Sequence, residues 1–253
     1  MSRSVLITGG ARRIGAAIAE RLAKDGWRVV IHYHYHAEEA AAFARALGGG
    51  ALTLDADLSD PVAAEALPAR AAAALGKPLD AVVNNASVFD FNRAGDFTIE
   101  DWRRDETVNL LSPVLIARAF AKTLPQGSTG AVVNLLDQKL WNLNADFFTY
   151  TMSKIGLEGA TRLLARALAP AVRVNGVAPG ITLPSGNQSA EEFNAVASKY
   201  NLLRRPIDIG AVAGAVAFLL DNDAVTGQTI LADNGQHMIA SDSDVMFTTR
   251  GHG

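Results

Sequence analysis

Tyr150 and Lys154 stand four residues apart in the run "YTMSK". On a helix that spacing puts both side chains on one face. An ammonium beside a phenol stabilises the phenolate and lowers its pKa, which suits proton transfer near neutral pH. Taken alone, the pair also reads as an ordinary exposed i,i+4 contact. Thirteen residues before Tyr150 stands Asp137, where the apolar run "AVVNLL" gives way to the polar stretch "DQKLWNLNADFF". An ionised Asp accepts hydrogen bonds from N–H donors and can share a proton with a phenol, so that the two titrate as a pair. Asp137 can equally be a loop cap or the relic of a decayed site.

A second group of residues points to an anion. The stretch "TGGARRIG" follows an apolar β-like run and opens a helix-like one. Gly9, Ile14 and Gly15 belong to this turn. Its glycines let backbone N–H groups approach a pyrophosphate, and the helix N-terminus adds favourable potential. A tight turn with no ligand is the plainer reading. Arg12 and Arg13 suit an extra phosphate, or lie solvated on the surface. The second strand ends "IHYHYH" and carries no acidic residue before Glu38. A dinucleotide without a 2′-phosphate would want a carboxylate there. Its absence, with Arg and His nearby, favours NADP(H). His32, His34 and His36 alternate on a short strand and give no reason for a closed metal site, so no metal is expected.

These residues need a frame. Short runs rich in Val, Ile and Leu recur at 4–8, 28–33, 51–56, 81–84, 131–136, 172–178 and 228–233, each but the last followed by helix-like sequence. Continuous apolar runs read as strands buried on both faces. Alternation with helices implies right-handed crossovers and a parallel sheet. The expected fold is therefore α/β: a Rossmann-like, doubly wound, seven-stranded parallel sheet with helices on both faces. Long helices are expected at 98–123 and 153–168. No composition break divides the 253 residues, so 1–253 reads as a single domain. The stretch 183–190 is the most loop-like internal segment. The tail 241–253 reads as polar and loose, unless a partner subunit holds it.

Composition narrows the classes. Hydrophobic residues make up 49% of the chain, enough for a sizeable core. The formal net charge of −3 and the lack of a basic stripe argue against nucleic acid. No cysteine is present, which excludes disulfides and thiolate metal sites. No apolar run reaches the ~18 residues of a membrane span. With no signal-like N-terminus, the expectation is a cytoplasmic protein.

In order and spacing, six motifs resemble the short-chain dehydrogenase/reductase family over almost the whole chain. They are "TGGARRIG", "ADL" at 56–58, "NNAS" at 84–87, "VN" at 108–109, "YTMSK" at 150–154 and "APG" at 178–180. The resemblance implies hydride transfer from a nicotinamide. It implies that Asp57 and Leu58 lie by adenine, that Asn85 and Ala86 line the cofactor cleft, and that Pro179 and Gly180 border the nicotinamide. It makes Tyr150 and Lys154 both catalytic and cofactor-binding, and has Asn109 hold a water in a proton relay with Lys154. Two departures, Arg13 for the usual middle glycine and Asp137 for the usual serine, are similar to the pteridine reductase branch. So are His32, Tyr33 and His34 after the second strand, and Ser87 and Phe89 after the "NNA" run. The branch implies that Phe89 stacks on a pterin and that Arg13 and Ser87 help hold pterin and phosphates; on such a ring Asp137 and Tyr150 are expected to touch the substrate as the proton-donating pair. Branch members often follow "HYH" with Arg and Ser, where this chain has Tyr35 and His36. Asn234–Gly235 replaces the family's closing glycine pair.

The expected activity is NADPH-dependent reduction of a pterin C=N bond. The alternatives are a carbonyl reductase of the same fold and, from another class, a nucleotide-binding protein without catalysis. Residues at about 181–201 are expected to close over the substrate. Apolar residues on more than one face of 98–123 and 153–168 imply a homo-oligomer, dimer or tetramer.

Overall fold

The computed structural model describes residues 2–184 and 189–247. Seven strands form one parallel sheet: β1 Ser4–Ile7, β2 Arg28–Tyr33, β3 Leu52–Asp55, β4 Ala81–Asn84, β5 Gly130–Leu135, β6 Val172–Pro179 and β7 Thr229–Ala232. Their order is β3-β2-β1-β4-β5-β6-β7. The chain winds outward from β1 to β3, then crosses back to β4 on the other side of β1. Ile7 lies between Ile31 of β2 and Val83 of β4. That reversal opens a crevice at the C-terminal ends of β1 and β4, where ligands bind in such sheets.

Neighbouring residues of a strand point to opposite faces. Ile7, Val83 and Val133 therefore join one core layer with Ile18, Leu22 and Val216, from α1 (Arg13–Lys24) and α8 (Ile209–Asp221). Leu6, Val82 and Val132 join the other with Leu67, Ile116 and Phe120, from α3 (Pro61–Leu75) and α5 (Ser112–Thr123). Burying each such Leu, Ile or Val contributes roughly 1.5–3 kcal/mol. The seven-stranded doubly wound sheet expected from the apolar runs is thus the one observed.

Two helices differ from expectation in ways that matter for the site. The helix expected at 98–123 begins as α4 (Ile99–Glu106), with Thr98 and Asp101 forming a reciprocal cap. It then widens into a π-turn at Thr107–Leu111 before α5 continues. Pro113 has no N–H to offer the carbonyl four residues back, which belongs to Asn109, so the α-ladder is interrupted there. The helix expected from residue 153 begins instead at Phe148, as α6 (Phe148–Ala167). Its start is capped from a distance. Asn92 takes the Phe148 N–H on its carbonyl at 3.1 Å and the Thr149 N–H on Oδ1 at 3.1 Å.

Residues 185–188 of the loop-like stretch lie outside the described residues. The segment expected to close over substrate contains α7 (Ala190–Ala197), capped by Ser189 and Glu192. The tail does not behave as a loose end. Residues 241–247 fold back on their own chain, and Phe247 meets Phe91 with ring centroids 5.0 Å apart. Residues 248–253 lie outside the described residues.

Candidate active site

The glycine-rich turn leaves β1 and enters α1. Gly9 has φ +60°, a region that favours glycine. At Gly15 an added Cβ would lie 2.2 Å from the Gly9 carbonyl oxygen, so no larger residue fits. Arg13 also has a positive φ, 52°, without being glycine. Its guanidinium donates to the Pro184 carbonyl at 2.8 Å, tying the turn to the segment after β6. Arg12 is exposed and pairs with Glu39 at 3.5 Å.

His32 has a different part from the one its position implies. Its Nδ1 accepts the Gly9 N–H at 3.1 Å, and its Nε2 lies 3.1 Å from the Ala56 carbonyl. The ring is therefore the neutral tautomer with its proton on Nε2. It braces the turn from beneath, with both nitrogens occupied. Burial lowers its pKa to about 4, from 6.5. Between those values the unfolded chain binds a proton that the folded protein refuses. Stability therefore falls as pH drops from 6.5 toward 4, by roughly 3 kcal/mol from this group alone. Urea unfolding of the wild-type protein and of His32→Gln at the two ends of that window should differ by this amount in the stability lost.

Beyond β4, Thr8 Oγ1 accepts the N–H groups of Asn85 and Ala86 at 2.9 and 3.0 Å. The Asn85 amide donates to the Thr8 and Gly9 carbonyls at 2.9 and 3.1 Å. The two segments therefore form a single wall. The resulting cleft, of about 570 Å³, is lined by Gly9, Arg12, Arg13, Ile14, Gly15, His32, Tyr33, His34, Asn85, Ala86 and Ser87, all singled out in the sequence. Asp57 and Leu58 are not among the lining residues. Asp57 is exposed and caps Ser59 at 2.8 Å, while Leu58 is buried in the core.

The cleft leads to Asp137 and Tyr150. The Tyr150 hydroxyl donates to Asp137 Oδ2 at 2.8 Å. Asp137 Oδ1 accepts the Lys139 N–H at 2.8 Å, which opens a short 3₁₀ turn and fixes the carboxylate. The expected lowering of the phenol pKa is not what the structure gives. Burial first, and then the Asp137 carboxylate, push Tyr150 well above its ordinary value. Lys154 is aimed elsewhere: its Nζ donates to the Leu135 carbonyl at 2.8 Å and stands 5.7 Å from the Tyr150 ring centre. Burial lowers Lys154 itself to about 8, against the pull of Asp137. The site thus holds Tyr150 as a protonated donor.

Asn109 sits in the π-turn with its side chain fully engaged. Its Oδ1 accepts from the Val88 N–H and the Ser87 hydroxyl, and its Nδ2 donates to the Val88 carbonyl and Ser153 Oγ, all within 3.0 Å. It ties the loop carrying Ser87 and Phe89 to α6. Phe89 meets Tyr150 edge-on at 4.6 Å and is stacked on Phe147 at 4.0 Å. One face of Phe89 is therefore already covered by the protein.

A second chamber of about 190 Å³ opens past this point and shares Arg13, Ile14, Phe89, Asp137 and Tyr150 with the cleft. Pro179 and Gly180 border it, where a Cβ on Gly180 would lie 2.5 Å from Gln236 Oε1. Its far wall holds residues not singled out in the sequence: the buried Lys139, Tyr200, Gln236, and Ser241, Ser243 and Asp244 of the tail. A lysine two places after Asp137 carries no local sign that it is buried.

A family model described as enoyl-(acyl carrier protein) reductase matches residues 9–237. The chain belongs to the short-chain dehydrogenase/reductase family. Among solved members, FolM alternative dihydrofolate reductase 1 from Brucella canis, complexed with NADP, is 41% identical. The match covers 96% of each chain, with a TM-score of 0.88. Pteridine reductase 1 of Leishmania tarentolae is 30% identical over 91% of this chain and 94% of its own. NADPH-dependent aldehyde reductase 2 of Arabidopsis thaliana is 29% identical over 92% and 93%. The chain is thus an oxidoreductase of this family with pteridine reductase relatives.

Proposed function

We propose that this protein is an NADPH-dependent reductase of a pterin C=N bond, taking a dihydropterin to the tetrahydro form, with oxidised pterin or dihydrofolate as further acceptors. The reading rests on one observation above all: the Tyr150 hydroxyl donates to a carboxylate, Asp137, at the junction of cleft and chamber. A forming alkoxide is poorly served by a neighbouring negative charge. An amino-pyrimidine edge offers N–H donors, which that carboxylate accepts.

Bound NADPH would supply hydride to the ring carbon. Gly9, Arg12, Arg13, Ile14, Gly15, Tyr33, His34, Asn85, Ala86 and Ser87 would hold it along the cleft, with Pro179 and Gly180 beside the nicotinamide. The fit is supported by a turn whose Gly15 tolerates no Cβ and by the lack of a carboxylate at the end of β2. Tyr150, kept protonated by burial and by Asp137, would give its proton to the ring nitrogen. Lys154 would then steady the tyrosinate and return a proton. With the Asn109 side chain occupied, its share of the relay would fall to its backbone carbonyl. Phe89 would offer its free face to the pterin ring and hold it in a near-attack geometry.

A protonated Lys154 implies a pH limit. Its charge is lost as pH rises through about 8. With Lys154 required as a cation, kcat/KM should fall roughly tenfold per unit above that value. The limit should shift upward in Lys154→Arg. Met152, Ile155 and Leu163 are exposed on α6, which supports pairing with a second copy. Among the described residues no helix is long and apolar enough to cross a membrane.

NADPH oxidation with dihydrobiopterin, dihydromonapterin, dihydrofolate and a panel of ketones and aldehydes tests the assignment. Pterin turnover supports it. Turnover of carbonyls alone would favour the aldehyde reductase reading, to which the Arabidopsis relative gives some weight.

A further inference from the structure

The tail and the loop after β5 meet at one buried carboxylate. Asp146 is 2% exposed and lies outside the proton-transfer group. Its Oδ1 accepts from Arg93 Nε at 2.9 Å, and its Oδ2 accepts the Asp244 N–H at 2.9 Å. Its backbone carbonyl takes the ammonium of Lys139 at 2.5 Å. Lys139 also reaches Asp244 Oδ2 at 3.9 Å. One residue thus joins the loop after β4, the 3₁₀ turn after Asp137, and the tail.

A ring ladder runs beside it. Phe89 stacks on Phe147 at an interplanar angle of 14°, and Phe147 lies nearly parallel to Phe247, at 13° with centroids 6.0 Å apart. Phe91 closes the ladder edge-on to both Phe147 and Phe247. Phe147 holds a positive φ of 54°, a conformation that persists only where the surroundings impose it. Phe89, like Tyr150, lines both cleft and chamber. The rings thus connect the tail to Phe89 through Phe147.

We propose that residues 241–247 form a fixed third wall of the substrate chamber, latched at Asp146, and that this latch sets affinity for the acceptor by positioning Phe89 and the chamber wall. Asp146 and Phe247 are positioning residues. Neither lines the cofactor cleft, and Phe89, which does, stands where the cleft meets the chamber, so the effect falls chiefly on the acceptor and not on the dinucleotide. The inference rests on the chamber being the acceptor site of the proposed reductase.

Two variants test it, Asp146→Ala at the latch and Phe247→Ala at the ladder. In each, KM for the dihydropterin should rise about tenfold, as loss of one buried, charge-assisted or stacked contact implies. The NADPH Kd, read by fluorescence titration, should stay unchanged, and Asp146→Asn, which keeps one acceptor but turns an N–H donor toward Arg93 or the Asp244 N–H, should recover only part of the loss. A purely structural role would lower NADPH affinity and KM performance together, and that result overturns the proposal. So does an unchanged KM in Phe247→Ala, which decides the matter alone if Asp146→Ala does not fold. If the wild-type protein reduces only a carbonyl compound, the pterin assignment fails, and the same comparison with that compound still decides the latch.

Discussion

Asp137→Ala is expected to lower kcat for dihydropterin reduction about 10³-fold, within the range for loss of a positioned proton-transfer group. The Tyr150 hydroxyl now has one acceptor, Asp137 Oδ2 at 2.8 Å. Without it the phenol loses the group that orients its proton, and the pterin edge loses its hydrogen-bond acceptor. The same change removes an anion that raises the Tyr150 pKa, so the phenol should ionise at lower pH, although burial, the larger cause, remains. A spectroscopic titration of tyrosinate in wild-type and variant protein reads this shift. NADPH affinity should be unchanged, because Asp137 accepts its hydrogen bonds from Tyr150 and Lys139 and none from the glycine turn. Full pterin turnover in Asp137→Ala would mean that the carboxylate is only the cap of the 3₁₀ turn it opens.

Gly15→Ala should be nearly as damaging, for a different reason. The new Cβ would lie 2.2 Å from the Gly9 carbonyl oxygen and 2.7 Å from Asn85 Nδ2. Both atoms belong to the brace that joins the turn to the loop after β4. The turn must move, and with it the amides that would meet a pyrophosphate. Overpacking of this kind costs roughly 1–3 kcal/mol, so NADPH affinity should drop up to about 100-fold with a lower melting temperature. Calorimetric titration with NADPH measures the first and thermal unfolding the second. Affinity within a factor of two of wild type would show that the turn does not carry the cofactor.

The sheet was legible because parallel strands buried on both faces leave continuous apolar runs, and seven such runs stand in the sequence. Tyr150 and Lys154 were paired by spacing, since a helix fixes what four residues apart means, but their role, and that of Asp137 in place of the usual serine, was legible only through the family resemblance. Their energetics were not. Whether Lys154 or Asp137 governs the phenol depends on where Nζ points, and it points to a carbonyl of β5. The start of α6 escaped local rules because its cap, Asn92, lies more than fifty residues upstream. Pro113 did carry the signal for the π-turn, being the residue that cannot donate to Asn109. The described part of the tail, residues 241–247, is held where looseness was expected, because its polar letters hide one ring, Phe247, and one backbone N–H that reaches Asp146. His32 was legible as a residue of the site, but only the fold shows that both ring nitrogens are occupied.

The most direct measurement follows the hydride. NADPH carrying two deuterium atoms at C4 of the nicotinamide is incubated with the protein and a 7,8-dihydropterin, and the product is examined by mass spectrometry and NMR. The account predicts a tetrahydropterin with one deuterium on the ring carbon of the reduced C=N bond, formed in the wild-type protein and lost in Asp137→Ala. Cofactor oxidation without label in the pterin, or label transfer only to a ketone or aldehyde, would contradict it.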